Sequence, residues 1–238
     1  MAEGILKGVE KFFTSLDQKM EKSVKNHLKS VYATLAIGLL GAAAGAYIHV
    51  FTDILKGNIL VSLGALIPLG LLYATADNGQ NQKLRLGYFL AFTTMSGLAT
   101  GPLLDMAISL NPGIVVTAFM GTCLIFGCFS LAALYAPDRK FLYLGGVLMS
   151  LLSTMFWLAL ANLFFASRFV FQANLYLGFA VMCGFVLYDT QLILEKRRMG
   201  DTDFIWHSVD LFIDFLDLFR RLLIILSQRE QEKKRRKD

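Results

Sequence analysis

Residues 186–192 read Val-Leu-Tyr-Asp-Thr-Gln-Leu, and residues 210–217 read Asp-Leu-Phe-Ile-Asp-Phe-Leu-Asp. Both place carboxylates inside apolar segments, where a lipid-facing helix should have none. Phe169–Tyr188 carries no charge and is long enough to span a bilayer, with Asp189 directly after it. Glu195, Lys196, Arg197 and Arg198 then mark a membrane edge. Gly200-Asp201-Thr202-Asp203 supplies a helix-stopping glycine followed by candidate N-caps, so the spacing predicts a tight helical hairpin. Its second arm, Phe204–Leu226, carries Asp210, Asp214 and Asp217 among Phe, Ile and Leu.

Counting tests the hairpin. Asp189 lies 11 residues before Gly200, and Asp214 lies 11 residues after Asp203. At the helical rise that is about 16 Å along each arm, so antiparallel packing would bring both carboxyls to one level. His207, Asp210, Asp214, Asp217 and Arg221 recur at helical spacing and draw one polar seam along an apolar rod. Two carboxyls at one depth in a poorly hydrated place cannot both ionise cheaply. They would share a proton and titrate as a pair, which is the chemistry of a proton-sensitive switch. Two blander readings stand beside this one. Phe204–Leu226 also suits an interfacial amphipathic helix with its carboxylates toward water. Asp189 could snorkel to the nearby edge, although its side chain is short for that.

The composition sets the class. Over 238 residues the chain is 55% hydrophobic and 17% charged, with a mean hydropathy of +0.55. A soluble domain of this length carries more charge and fewer long apolar runs. The expected fold is all-α: a polytopic membrane helix bundle, six transmembrane helices around a seventh, semi-polar helix that is either central or re-entrant. Cys123, Cys128 and Cys183 sit in apolar runs without metal-ligand spacing and read as small buried hydrophobes. The net charge of +5 gathers at the ends and in short connections. That suits anionic lipid headgroups, and no aromatic-basic module for nucleic acid occurs.

Three stretches divide the chain. Residues 1–30 form an amphipathic segment, with Ile5, Val9, Phe12, Leu16, Met20, Val24 and Leu28 at helical spacing. It lies on the cytosolic membrane surface or docks as a short helix on the protein itself, and Lys7, Glu10, Lys11 and Asp17 exclude a cleavable signal peptide. Residues 31–226 form the membrane domain. Its uncharged spans are Val31–Phe51, Ile59–Ala76 with a kink at Pro68, Leu86–Leu104, Ile114–Ala136 stopped by Pro137, Phe141–Ser167 and Phe169–Tyr188. Gly41 with Gly45, and Gly97 with Gly101, make small-xxx-small faces for close helix approach. His49 reads as an interfacial polar residue. Residues 227–238 are a basic tail whose Lys233, Lys234, Arg235, Arg236 and Lys237 would contact the lipid surface.

The N-terminal flank, Lys83/Arg85, Arg139/Lys140 and Lys196–Arg198 fall on one side, which the positive-inside rule makes cytosolic. A full crossing by the seventh segment would put the tail in the lumen, against that bias. The tail charge argues for re-entry and the hairpin packing for crossing.

The stretches Phe171-Gln172-Ala173-Asn174-Leu175-Tyr176, Asp189-Thr190-Gln191-Leu192-Ile193 and Asp210-Leu211-Phe212-Ile213-Asp214-Phe215 resemble the transmembrane Bax-inhibitor-motif family. So do Tyr32-Ala33, Ala42-Ala43-Ala44-Gly45-Ala46-Tyr47, Ser96-Gly97, Gly101-Pro102, Asn111-Pro112 and Thr117-Ala118-Phe119-Met120-Gly121-Thr122. The resemblance implies a multi-pass protein of the endoplasmic reticulum membrane with its N-terminus in the cytosol. It implies a calcium leak gated by pH through Asp189 and Asp214, and suppression of cell death. Its bacterial members favour a seven-helix bundle with the last helix central. Carboxylates suit Ca²⁺, a hard ion that prefers oxygen ligands, so Asp189 and Asp214 would make a weak calcium contact, with Asp210 secondary. Calcium would be the cargo, with no cofactor. The implied partners are the lipid bilayer, calcium ions, and Bcl-family regulators and stress sensors. The family also implies a basic latch onto the first aspartate. Lys83 and Arg85 are both candidates for it, and the loop departs too far in length to choose.

A non-conducting regulatory scaffold, working through the N-terminal helix and the basic tail, is the alternative. An intramembrane aspartyl protease is a remote third reading. Tyr188-Asp189 late in a sixth helix fits it, but Phe212-Ile213-Asp214 replaces Gly-x-Gly-Asp, and no Pro-Ala-Leu segment follows. His27, His49 and His207 sit near helix ends with no Gly-x-Ser-x-Gly, and no enzyme activity is expected.

Overall fold

The computed structural model describes residues 21–52, 56–136 and 139–236. Most of the expected amphipathic N-terminal segment (Ile5 to Met20), Pro137 and Lys237 lie outside the described residues. The helices run in order α1 (Lys22–Phe51), α2 (Ile59–Gly64), α3 (Leu66–Ala74), α4 (Gln82–Leu110), α5 (Gly113–Tyr135), α6 (Leu144–Phe165), α7 (Arg168–Arg198) and α8 (Phe204–Arg235). The chain is thus an all-helical membrane bundle. α1, α5, α6 and α7 are each long and apolar enough to cross a bilayer. Leu124, Phe156, Trp157, Leu163 and Phe164 lie exposed on its outer surface, as lipid contact demands. Cys123 and Cys128 also face outward, so of the three cysteines expected to be buried only Cys183 is. An apolar run in lipid carries no information about which of its faces points inward.

The second span is two short helices, α2 and α3, broken at Ala65. Pro68 has no N–H for the Gly64 carbonyl, so the interruption falls one turn before the proline. Both pieces pack on α4, and α6 packs on α7.

The tightest seam joins α1 to α4. A Cβ on Gly45 would lie 1.9 Å from the Thr94 carbonyl oxygen, and one on Gly97 would lie 1.9 Å from that of Ala42. The two small-residue faces therefore meet each other, backbone against backbone. Gly101 makes room for His49, which is buried against α4. Its Nδ1 accepts from the Gly57 amide at 2.6 Å, and its Nε2 lies 2.9 Å from Asp105 Oδ2.

α8 occupies the middle, packed against α1, α4, α5 and α7. Leu211, Phe212, Leu218 and Leu223 on it are fully buried. It is one unbroken helix of 32 residues, about 48 Å long, and it crosses the whole bundle. Lys234 Nζ donates to the Leu110 carbonyl at 2.7 Å, beside the connection that carries no Lys or Arg. An unbroken rod of this length, packed inside the bundle, argues for crossing over re-entry or an interfacial position. Partners from four neighbouring helices along the seam outweigh a charge preference acting only at its tip.

Candidate functional site

The α7–α8 turn closes as its sequence requires. Gly200 adopts φ +102°, and the Gly200 and Asp201 amides donate to the Arg197 and Lys196 carbonyls, each at 3.0 Å. That glycine-centred cap satisfies the last carbonyls of α7. Asp203 then caps α8, accepting from the Trp206 amide at 3.0 Å. The same carboxylate receives both terminal nitrogens of Arg85, at 2.9 and 2.5 Å, and Asp77 lies 3.2 Å from that guanidinium. Arg85 is only 3% exposed, so it bolts the turn to the start of α4. The hydrogen bonds to Asp203 hold its guanidinium more firmly protonated than usual, against the opposing effect of burial, and Asp77 adds to them. Burial pushes the Asp201 carboxyl up. The Asp203 amide and the neighbouring His207 and Lys196 outweigh that and hold it below the ordinary range. Arg197 Nη2 donates to Ser23 Oγ at 2.8 Å, and Arg139 bonds Glu195. The basic connections therefore gather at this one end of the bundle.

Three rungs cross the hairpin. Nearest the turn, Lys196 Nζ lies 4.0 Å from Asp210 Oδ2. Farthest from it, Arg221 Nη1 donates to the Asn174 carbonyl at 3.2 Å. Between them the Asp189 and Asp214 carboxyls lie side by side, within hydrogen-bonding reach of each other. Asp214 is 4% exposed and Asp189 is half-buried. No N–H or O–H of another described residue donates to Asp214 Oδ2. Two carboxyls so placed could bond only through a proton that one of them carries. Asp210 is half-buried and stands beside Lys196, not within the pair. Among the described residues no three His, Cys, Asp or Glu side chains converge as a metal site. Two carboxyls can offer a passing cation only a partly hydrated contact.

The residues after Asp189 were present in the sequence without an assigned part. Thr190 Oγ1 is 3.2 Å from Ser130 Oγ, which in turn bonds the Tyr32 hydroxyl. Gln191 donates to the Ala133 carbonyl at 3.2 Å and accepts from the Phe141 amide at 2.6 Å. Three consecutive polar residues thus address three different directions: α8, the α1–α5 contact and the α5–α6 connection. The signal was the unbroken polar triplet in an apolar helix, since successive residues are spaced around the axis and cannot share one face. Lys83 has no such link, and neither it nor Arg85 reaches Asp189; the Arg85 bond goes to Asp203.

These features define a class: a multi-span helical membrane protein with two carboxyls side by side between its last two helices. The profile of the family described as "Inhibitor of apoptosis-promoting Bax1" matches residues 24–231. Proteins named Bax inhibitor 1 from Rattus norvegicus and Bos taurus are each 52% identical over 215 residues, covering 90% of this chain and 91% of theirs. The Homo sapiens protein of that name is 50% identical over the same shares. The chain belongs to the Bax inhibitor 1 family.

Proposed function

We propose that this protein is a pH-regulated calcium leak of the endoplasmic reticulum membrane that suppresses apoptosis, gated by Asp189 and Asp214. The observation that carries the reading is the placing of these carboxyls side by side across the α7–α8 contact, with Asp214 on the central helix. While they share a proton, α7 and α8 are held together at mid-depth. Loss of that proton sets two like charges against each other where little water screens them, and the hairpin parts. A cation entering the gap would find carboxylate oxygens, the ligands calcium prefers, with Asp210 next along the seam. The N-terminus and the turn would face the cytosol, by the gathering of Lys and Arg at that end.

Calcium flux by the purified protein in liposomes at several pH values tests this. Asp189→Asn with Asp214→Asn should abolish the pH dependence. Unchanged flux with unchanged pH response would end the proposal.

The names of the relatives and of the family support a second reading, a scaffold that restrains Bcl-family regulators without conducting. The exposed Lys233 and its basic neighbours would then be a contact surface for lipid or partner. Protection of cells that survives loss of both aspartates but not removal of residues 229–238 would favour it.

A further inference from the structure

The polar seam of α8 does not end at the carboxyls. Arg221 follows Asp214 by 7 residues, which returns it to the same face about 10 Å nearer the far end. It is wedged, not snorkelling. Nη1 donates to the Asn174 carbonyl on α7 at 3.2 Å, and Nε lies 3.3 Å from Asp217 Oδ2. The guanidinium fills a notch that α7 leaves open at Gly178. A Cβ there would lie 2.0 Å from Arg221 Nη1 and 2.4 Å from Met155 Cε. Arg220 stands beside it and faces the other way. Its Nε donates to Thr100 Oγ1 at 2.9 Å and its Nη2 to the Ser96 carbonyl at 3.2 Å, both on α4. The hydrogen-bond partners of Arg220 are therefore neutral, and since Asp217 pairs with Arg221, the group of Arg220, Arg221 and Asp217 keeps one net positive charge. From the turn outward the seam reads Lys196, Asp210, the Asp189–Asp214 pair, Asp217, and then guanidinium.

We propose that Arg221 is a cationic plug: seated in the Gly178 notch, it closes the α7–α8 seam beyond the carboxyl pair and sets the barrier a cation must pass from that side. This rests on the conduction reading above. A carboxylate attracts the permeating ion and a guanidinium repels it, so the two together make a well with a wall behind it. The repulsion scales with the charge of the ion, which makes the wall twice as high for calcium as for potassium.

The test uses the full chain in liposomes, with calcium and potassium fluxes measured in parallel for wild type, Arg221→Gln, Arg221→Lys and Gly178→Ala. Doubling a barrier squares its effect on rate, so Arg221→Gln should raise calcium flux about tenfold where potassium rises about threefold. Arg221→Lys keeps the charge and should stay near wild type. Gly178→Ala evicts the guanidinium without altering any charge and should also raise calcium flux. A calcium flux in Arg221→Gln at or below wild type overturns the plug, and so does an equal rise for both ions, which marks loosened packing. If Arg221→Gln fails to fold, Gly178→Ala decides alone, and unchanged flux there overturns the plug. A silent wild type beside a conducting Arg221→Gln keeps the plug and sinks only the carboxyl gate. Silence in every variant sinks both.

Discussion

The α1–α4 seam and the α7–α8 seam hold helices together by opposite means. Between α1 and α4 there is no room for a side chain at Gly45 or Gly97, and the backbones touch. Between α7 and α8 the contacts are polar rungs at Lys196–Asp210, Asp189–Asp214 and Asn174–Arg221. Close backbone packing has one geometry and no adjustable charge. A rung made of ionisable groups changes its energy whenever a proton moves. The bundle thus has one fixed wall and one wall that can respond, and α8 touches both.

The largest loss should come where the walls are bolted together. Arg85→Leu leaves Asp77 and the half-buried Asp203 without the buried guanidinium they share, which costs about 3–4 kcal/mol, toward the low end for a broken buried ion pair because water still reaches both carboxylates. Thermal unfolding in detergent should show it as the deepest drop of this set. A change no larger than that of an exposed charge would mean the turn is anchored elsewhere. Next come the glycines. Gly97→Leu should cost about 3 kcal/mol or more by overpacking against α1. Gly127 has nothing within 4 Å of a built Cβ, so Gly127→Ala should stabilise its helix by up to about 1 kcal/mol. If both substitutions behave alike, the fixed wall is not fixed.

Asp189→Asn with Asp214→Asn should shift stability by only about 1 kcal/mol, because two amides hydrogen-bond without sharing an acid proton. A drop as deep as that of Gly97→Leu would make the pair a brace and not a gate. The smallest effect belongs to Asp201. Its carboxyl is held below the ordinary range in the folded protein. Its stabilising contribution is therefore complete above the unfolded value of about 4 and lost as pH falls through the lower folded one. Asp201→Asn should remove that contribution at neutral pH, a small loss, flatten the acid limb of stability against pH, and match wild type only in acid.

Much of this could be read from the residues. Charge-free runs and the alternation of Lys and Arg define spans because burying a charge in lipid is expensive wherever it occurs. The hairpin was legible because Gly200 and Asp203 are local signals with local causes. Equal counts on either side of the turn predicted that Asp189 and Asp214 would share a level, and the two carboxyls lie side by side. The route of α8 was not legible. The basic tail and the buried seam pull in opposite directions, and only the partners from four helices show which dominates. Arg85 read as an edge charge and a candidate latch for Asp189, since nothing beside it in sequence reveals that its carboxylate is Asp203, more than a hundred residues away. The partners of His49 were hidden for the same reason: they come from the next loop and from α4.

The unbroken course of α8 has a mechanical consequence. A stiff rod of 32 residues that pivots near its middle moves its two ends in opposite directions. A tilt of about 5° over a half-length of about 24 Å displaces each tip by about 2 Å. The joint at Asp203 and the bond from Lys234 to Leu110 therefore sit on the two arms of one lever. A push on either membrane face would register on the other through a single element, with no relay of side chains between them.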